Sequence, residues 1–370
     1  MQVYLFPIEA AIITFLAVAG FLVLPNIIWQ YRKYGSVSIY RSLIFFSFML
    51  YMLVAYYLII LPLPDPNTLG TYGSITQYMN LMPFQFVYAF ITQTSLNLLH
   101  VGSYLTALAE NVFIQPVFNL FLTIPFGIYL AYYFKMSWKK VLLFSFLLSL
   151  FFELTQLTAL YGLYARPYRL FDVDDLILNT SGGLAGFYIY KHWLLFLPTK
   201  EKLDEKSLIK SEKVGYMRRG VAFIIDYVIV WLYTLPIINL IYYITGAENN
   251  LFGILVLPFS LIAYFILVQS IFKVTIGQRI VNLKLVSSRN NANKAIISRY
   301  AILCLMLLVF SILRFLIDIT YHNGIFAIIY VIIILSLAID FISSWGKNQI
   351  LFYERFSRTF HKNTKKRPNV

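Results

Sequence analysis

The sequence is short of cysteine and of charge, and both shortages narrow the class of protein. Its single cysteine, Cys304, cannot form a disulfide within the chain or build a thiolate metal cluster. Charged residues make up only 12% of the 370 residues, whereas about 25% is usual in soluble domains. These shortages exclude a disulfide-bonded secreted scaffold and a soluble globular enzyme.

Sequence motifs of enzymes are missing as well. The chain contains no HExxH, GxSxG or Walker motif and no GxGxxG before a helix. Its four histidines lie in separate segments and indicate no metal site. No nucleophile, base and oxyanion site can be assembled from the pattern. We therefore expect no metal and no cofactor, and no motif identifies the chain as an enzyme.

Apolar residues are abundant instead, at 60% of the chain, and the mean hydropathy is +0.73. About 20 mostly apolar residues suffice to cross a membrane as a helix. The sequence contains nine such segments, at residues 8–28, 42–61, 117–134, 141–161, 176–197, 220–245, 251–272, 300–319 and 325–343. The expected fold is therefore an all-α polytopic membrane protein with about nine transmembrane helices in two bundles.

The net charge of +14 comes from basic residues that cluster in alternate loops. Residues 62–110 contain no Lys or Arg, and only Arg166, Arg169 and Arg314 lie outside the basic loops and tail. Because basic loops stay in the cytoplasm, the N-terminus is predicted outside and the C-terminus inside a bacterial plasma membrane. Scattered loop charges favour contact with anionic lipid and no nucleic-acid binding. The oligomeric state is left open.

Polar segments divide the chain into regions. Residues 198–217 form a charged, partly helical cytoplasmic linker between a five-span domain (1–197) and a four-span domain (218–346). The basic tail 347–370 is expected to be disordered. The long apolar loop 62–110 is expected to carry one or two helices at the outer interface.

Polar residues of the first domain are expected to converge at the outer leaflet. The candidate ligand-binding residues are Asn119, Glu153, Gln156, Arg166, Arg169, Asp174, Asp175 and Asn179. They could form a shallow pocket for a polar head group, since arginines bind anions bidentately. Alternatively, the arginines pair with the acids, and Asp174 or Asp175 caps the fifth span. A metal site at Asp172, Asp174, Asp175 and Glu153 is a third interpretation. Gly182 and Gly186 are spaced for close helix packing.

Five patches of this half, N-L-x-P-F, N-x5-P-x-G, E-x2-Q, R-x2-D with D-x-D-D-L, and N-T-x-G-G, occur in an order that resembles the VanZ-like family. The resemblance covers about residues 40–197. Members of that family are associated with reduced susceptibility to teicoplanin and related lipoglycopeptides in Gram-positive bacteria. The resemblance therefore implies a cell-envelope role.

The second half contains a separate set of charges. Arg219 and Asp226 are two helical turns apart and could pair on one face. The patterns R-x2-A-x3-D, T-x-G-x-R and a final E-x4-T at Glu354 resemble the RDD family over about 215–362, with Glu replacing Asp in the last pattern. This resemblance implies transport of ions or small solutes. Further charges within spans are Arg314, Asp318 and Asp340, and Arg314 could pair with Asp318.

Three hypotheses follow from these observations. The leading one is an envelope protein that binds or shields a lipid-linked cell-wall precursor or a glycopeptide, with membrane lipid as a further partner. The second is a cation or solute transporter that uses Asp226, Asp318 and Asp340. The third is a lipid head-group modifying enzyme that depends on Glu153.

Overall fold

The computed structural model describes residues 2–65, 74–97, 99–245, 251–319, 324–344 and 350–364. Helices make up most of these residues. In chain order they are α1 (Gln2–Tyr34), α2 (Ile39–Ile60), α3 (Gln85–Gln93), α4 (Gly102–Leu108), α5 (Asn111–Tyr132), α6 (Trp138–Leu157), α7 (Ala159–Gly162), α8 (Val173–Trp193), α9 (Lys200–Ser211), α10 (Tyr216–Thr245), α11 (Leu251–Phe272), α12 (Ile276–Ile280), α13 (Ala292–Ile319), α14 (Gly324–Ser344) and α15 (Phe352–Ser357).

Each of the nine apolar segments coincides with a helix. Seven of these helices are long and apolar enough to cross a membrane: α1, α2, α5, α6, α10, α13 and α14. Of the other two, α11 contributes the shorter apolar stretch Val256–Phe272, and α8 carries Asn179, Thr180 and Ser181 in its first half. The all-α polytopic membrane fold is confirmed. The orientation in the membrane stays a prediction.

The chain divides into two compact units. Unit 1 comprises the described residues of Met1–Val23 and Ile39–Lys202, and unit 2 those of Leu24–Ser38 and Leu203–Val370. The end of α1 belongs to unit 2, where Tyr31 joins an apolar cluster with Val221, Ala222, Val281 and Leu283.

Unit 1 is built on a close approach of α5 and α8. A Cβ added at Gly182 would lie 2.1 Å from the carbonyl oxygen of Leu120, and one at Gly186 would lie 2.1 Å from that of Ile124. Only glycine leaves room for the facing backbone at these distances. The packing role expected for this glycine pair is confirmed.

Two short strands of unit 1 tie the long loop to the start of α8. β1 (Met79–Asn80) pairs in parallel with β2 (Phe171–Asp172). A 3-10 turn, Ile75–Tyr78, precedes β1, and the expected loop helices are α3 and α4. The pairing places the N-L-x-P-F segment beside the first turn of α8.

Unit 2 packs an aromatic core between its helices. Val230 of α10, Tyr264 and Phe265 of α11, and Tyr300 of α13 are buried together. The ring of Phe265 stacks on that of Tyr300 with centroids 4.9 Å apart. This aromatic packing joins α10, α11 and α13.

Residues 350–364 of the C-terminal segment have regular structure, while 347–349 and 365–370 lie outside the described residues. β3 (Leu283–Ser287) pairs antiparallel with β4 (Thr359–Asn363), and α15 lies just before β4. The expected disorder is therefore wrong for residues 350–364. Sequence composition did not reveal this order, because the paired residues, from Ser287 with Thr359 to Leu283 with Asn363, lie far apart in the chain.

Candidate functional site

The first turn of α8 is capped by Asp172. Its carboxylate Oδ1 accepts a hydrogen bond from the backbone N–H of Asp174 at 2.8 Å. The prediction that Asp174 or Asp175 caps this helix is therefore wrong. An N-cap residue has extended backbone geometry, and Asp172 is the last residue of β2.

Glu153 of α6 is buried and contacts the backbone at the start of α8. It is 2% exposed, and its Oε2 accepts a hydrogen bond from the backbone N–H of Asp172 at 2.9 Å. The side chain therefore faces the helix bundle, as expected for a carboxyl within an apolar helix. Its contact with the backbone couples α6 to the entry of α8.

Asp174 holds the loop of the N-L-x-P-F segment. Its two carboxylate oxygens accept hydrogen bonds from the backbone N–H groups of Phe84, at 2.5 Å, and Phe86, at 2.9 Å. The amide of Asn80 donates to Asp172 at 3.0 Å. Four of the sequence patches are thus brought together through α8: its own two patches, the loop segment and the α6 glutamate.

Amide side chains link α5, α6 and α8. Asn119 Nδ2 donates to Asp175 Oδ1 at 2.5 Å, and Asn179 Nδ2 donates to the hydroxyl of Ser149 at 3.0 Å. The hydroxyl of Thr123 donates to the backbone carbonyl of Asn179 at 2.7 Å. In the described part of the chain, Asn179 Oδ1 is buried without a hydrogen-bond partner. That oxygen therefore remains available as an acceptor.

Arg166 and Arg169 contact different groups. Arg169 Nη2 donates to the backbone carbonyl of Leu61 at 3.3 Å, and Arg166 Nη1 approaches the hydroxyl of Tyr78 at 3.5 Å. Within the described residues, neither arginine forms a salt bridge with a carboxylate. The interpretation in which they pin the helices as ion pairs is therefore wrong.

A cavity of about 640 Å³ lies among these groups. Its volume is in the range of about 300–1,000 Å³ typical of ligand pockets. Six of the eight predicted site residues line it: Asn119, Glu153, Gln156, Arg169, Asp175 and Asn179. Asp174 lines a smaller neighbouring cavity, and Arg166 lines neither.

Sequence reasoning missed three polar residues of the cavity wall, Tyr168, Gln115 and Asn111. Asp172 also lines the cavity, but the sequence indicated it only as a possible metal ligand. Its capping role could have been found from its place just before a helix, which is the N-cap position. Gln115 and Asn111 lie on α5 one and two turns before Asn119, so they share its face.

The metal interpretation gains no support. Among the described residues, no group of three or more acidic, histidine or cysteine side chains is placed to hold a metal ion. Asp174 directs both carboxylate oxygens at backbone N–H groups, and Glu153 directs one. These oxygens are already bound to protein donors.

Asp226 of unit 2 is buried in a cage of donors. Its carboxylate accepts hydrogen bonds from the Tyr264 hydroxyl at 2.7 Å, the Thr275 hydroxyl at 2.6 Å and the Gly277 backbone N–H at 2.7 Å. The expected pairing with Arg219 does not form: Arg219 makes an ion pair with Glu354 instead. A shared helix face was not enough, because the partners of Asp226 come from α11 and the turn at α12.

Glu354 lies at the centre of a buried charge cluster. It is 2% exposed and pairs with Arg219 and, at 3.0 Å, with Arg299. His361 Nδ1 lies 3.6 Å from it. Burial opposes ionisation, but the contacts with His361, Arg299 and Arg219 hold the pKa of Glu354 well below its usual value. The longer glutamate thus keeps the charge role expected of the family aspartate.

Two of the other charges within spans, Asp340 and Arg314, can be placed in the described part of the chain. Asp340 accepts a hydrogen bond from the Phe352 backbone N–H at 2.9 Å and pairs with Arg355. Arg314 is exposed on α13. The side chain of Asp318 lies outside the described residues, so its pairing with Arg314 stays a prediction.

Taken together, these features define a multi-pass membrane protein. Residues 48–197 match the model of the VanZ/LLP1 family, and residues 213–349 match that of the RDD family. No curated protein and no solved structure matches the chain. Each half of the chain thus matches one family, a VanZ-like domain followed by an RDD-like domain, and both families indicate a membrane protein of the cell-envelope type.

Proposed function

We propose that the VanZ-like domain binds the polar part of a lipid-linked envelope component, or a glycopeptide, at the outer leaflet. This binding would lower bacterial susceptibility to teicoplanin and related lipoglycopeptides. The observation that carries the proposal is the cavity of about 640 Å³, whose wall includes Glu153, Asp175 and Arg169. Ionisable side chains within a membrane domain are energetically costly. A group of them that lines a cavity therefore indicates a functional site.

The chemistry of the wall favours a ligand rich in amides or hydroxyls. The lining side chains include five amides (Asn111, Gln115, Asn119, Gln156 and Asn179). Amides both donate and accept hydrogen bonds, which suits a peptide stem or a sugar. Three carboxylates and a single guanidinium, that of Arg169, also line the wall. This balance repels a ligand made mainly of phosphate, while Arg169 can bind one carboxylate of a peptide.

The outward orientation rests on the absence of Lys and Arg from residues 62–110. Since the chain has one cysteine, Cys304→Ala provides a cysteine-free background for labelling. We expect a membrane-impermeant maleimide to label His100→Cys in intact cells, and to label Lys206→Cys only after permeabilisation. Both native side chains are exposed. The reverse labelling pattern would contradict the proposed position of the site at the outer leaflet.

Two arginines provide a matched pair for testing the function. Arg169 lines the cavity and Arg166 does not. Cells that express Arg169→Ala or Glu153→Gln should become as susceptible to teicoplanin as cells without the protein. Cells that express Arg166→Ala should keep the wild-type susceptibility. Membrane abundance is measured for each variant, and equal susceptibility of all variants at equal abundance would refute the proposal.

The transporter hypothesis is not supported by a specific contact. Asp226 is bound by three donors, and Asp340 is bound by Arg355 and the Phe352 backbone. A lipid-modifying activity at Glu153 is likewise not favoured by a specific contact, since Glu153 Oε2 accepts a hydrogen bond from the Asp172 backbone N–H. The binding function therefore stands as the single proposal.

A further inference from the structure

Unit 2 contains a cavity of its own, with apolar walls and a basic end. Its volume is about 340 Å³, at the small end of the range of about 300–1,000 Å³ for ligand pockets. Apolar side chains from three helices form the walls: Phe223, Leu261, Phe265, Leu303 and Leu307. Arg219, Arg299 and His361 also line it. The lining thus combines a hydrocarbon-like surface with donors gathered around Glu354.

The basic end has donors that the protein leaves unused. Arg299 is 4% exposed, and its Nη1 and Nη2 donate to Thr359 and Glu354. Its Nε, however, has no hydrogen-bond partner in the described part of the structure, and His361 Nδ1 makes no hydrogen bond there, since its nearest carboxylate oxygen, that of Glu354, lies 3.6 Å away. The His361 side chain is 7% exposed. Buried donors of this kind normally find an acceptor.

The carboxylates around the cavity are already bound by other donors and leave Arg299 Nε without an acceptor. Glu354 already accepts from both Arg219 and Arg299. Asp226 also lines the cavity, but its carboxylate is bound by Tyr264, Thr275 and Gly277. Burial lowers the pKa of His361 to about 4, so its ring is neutral near pH 7. An incoming group must therefore bring its own acceptor oxygens.

We propose that this cavity binds an anionic lipid, with its head group at Arg299 and His361 and the first part of an acyl chain along the apolar wall. Basic pockets between membrane helices on the cytoplasmic side commonly bind anionic head groups. The predicted orientation places the start of α10, with Arg219, on that side. The recognised chemistry is an oxyanion attached to an acyl chain, which a phospholipid or a free fatty acid can supply.

Native mass spectrometry of the purified full-length protein in a neutral detergent tests the proposal. The probes are phosphatidylglycerol, phosphatidylcholine, oleate and inorganic phosphate. We expect one phosphatidylglycerol or one oleate to be retained with at least tenfold higher affinity than phosphatidylcholine, and the tighter of the two identifies the source. Equal retention of phosphatidylcholine would overturn the proposal, as would displacement of the lipid by inorganic phosphate alone.

Cys304 is buried in the cavity wall. Two substitutions at this position distinguish the effect of filling the cavity from the effect of disturbing the fold. Cys304→Trp fills the space and should reduce retention of the anionic lipid at least tenfold, whereas Cys304→Ala should leave it unchanged. If Cys304→Trp does not give a monodisperse protein, Leu307→Phe provides a milder filling variant. Unchanged retention in a folded filling variant would contradict the proposal.

The head-group contact is tested by removing one basic residue at a time. Arg299→Lys keeps a positive charge but removes the Nε donor and the planar fork, and should weaken retention severalfold. Lys284→Gln removes an exposed charge of β3 outside the cavity and should have no effect. If both variants lost lipid retention equally, the anionic lipid would be attracted by the overall positive charge of the protein, and the proposal of a specific site would be contradicted.

Discussion

The two domains bury carboxylates in different ways. In the VanZ-like domain, Glu153 and Asp174 accept hydrogen bonds from backbone N–H groups, and the nearest arginines form no salt bridge with them. In the RDD-family domain, Glu354 is held by Arg219 and Arg299. Backbone donors fix loops and leave the cavity wall polar, whereas guanidinium groups join separate helices through charge. Substitutions and changes of pH should therefore alter the stability of the two domains to different extents.

The largest effect is expected at Glu354. Glu354→Gln keeps the shape but leaves Arg219 and Arg299 as buried charges without an anion. Breaking a buried ion pair in this way costs about 3–5 kcal/mol. The measurement is the thermal unfolding midpoint of the purified protein in detergent, which should fall by many degrees.

Two further variants are compared with Glu354→Gln by the same unfolding measurement. Asp174→Asn, in the VanZ-like domain, removes a charged acceptor of two backbone N–H groups and should cost about 1.5–3 kcal/mol. Arg355→Gln removes the mostly exposed partner of Asp340 and should cost at most about 1 kcal/mol. If Glu354→Gln were no more destabilising than Arg355→Gln, the contrast between the domains would fail.

The next effect concerns pH and His361. Burial lowers the pKa of this imidazole from 6.5 to about 4 in the folded protein. Between those two values the unfolded chain binds the proton and the folded chain does not, so stability falls as pH drops from about 6.5 to about 4. The total loss is about 3 kcal/mol. Glu354 adds to the loss below its ordinary pKa of 4.5, since its folded pKa is lowered.

Unfolding midpoints between pH 7.5 and pH 5 measure this dependence. His361→Gln should flatten the decline over that interval, because the glutamine does not titrate. His192→Gln, at an exposed histidine of the other domain, should retain the wild-type slope. A wild-type decline that His361→Gln leaves unchanged would assign the pH dependence to other groups.

A smaller effect is expected where α5 and α8 meet in the VanZ-like domain. The Cβ of Gly182→Ala would lie 2.1 Å from the Leu120 carbonyl oxygen, so the helices must move apart. Overpacking of this size costs about 1–3 kcal/mol. Gly20→Ala is the matched helical control, since nothing lies within 4 Å of its added Cβ. Equal unfolding midpoints for the two variants would contradict the close approach.

Helices and their packing glycines were predictable because their signals are local. A run of about 20 apolar residues identifies a span, and the spacing of Gly182 and Gly186 identifies a packing face. Convergence of Asn119, Glu153 and Asn179 followed from their similar depth along neighbouring helices. These inferences need only the helical rise and the direction of each span.

Partner choice was not predictable, because it depends on residues far apart in the chain. Arg219 and Asp226 share a face, yet Arg219 pairs with Glu354 and Asp226 with donors of α11 and α12. The tail pairs with β3 in the same long-range manner. The role of Asp172 as N-cap required knowing that β2 ends there. Spacing along one helix does not encode such contacts.

The most direct test of the account is equilibrium binding to the VanZ-like cavity. The full-length protein in nanodiscs is titrated with a lipid-linked disaccharide-pentapeptide, for wild type, Arg169→Ala and Arg166→Ala. The account predicts saturable binding that Arg169→Ala weakens by about 10- to 100-fold, since hydrogen bonds to charged groups contribute about 1.5–3 kcal/mol. Arg166→Ala should bind as wild type does. Absence of saturable binding, or equal affinity of the two variants, would contradict it.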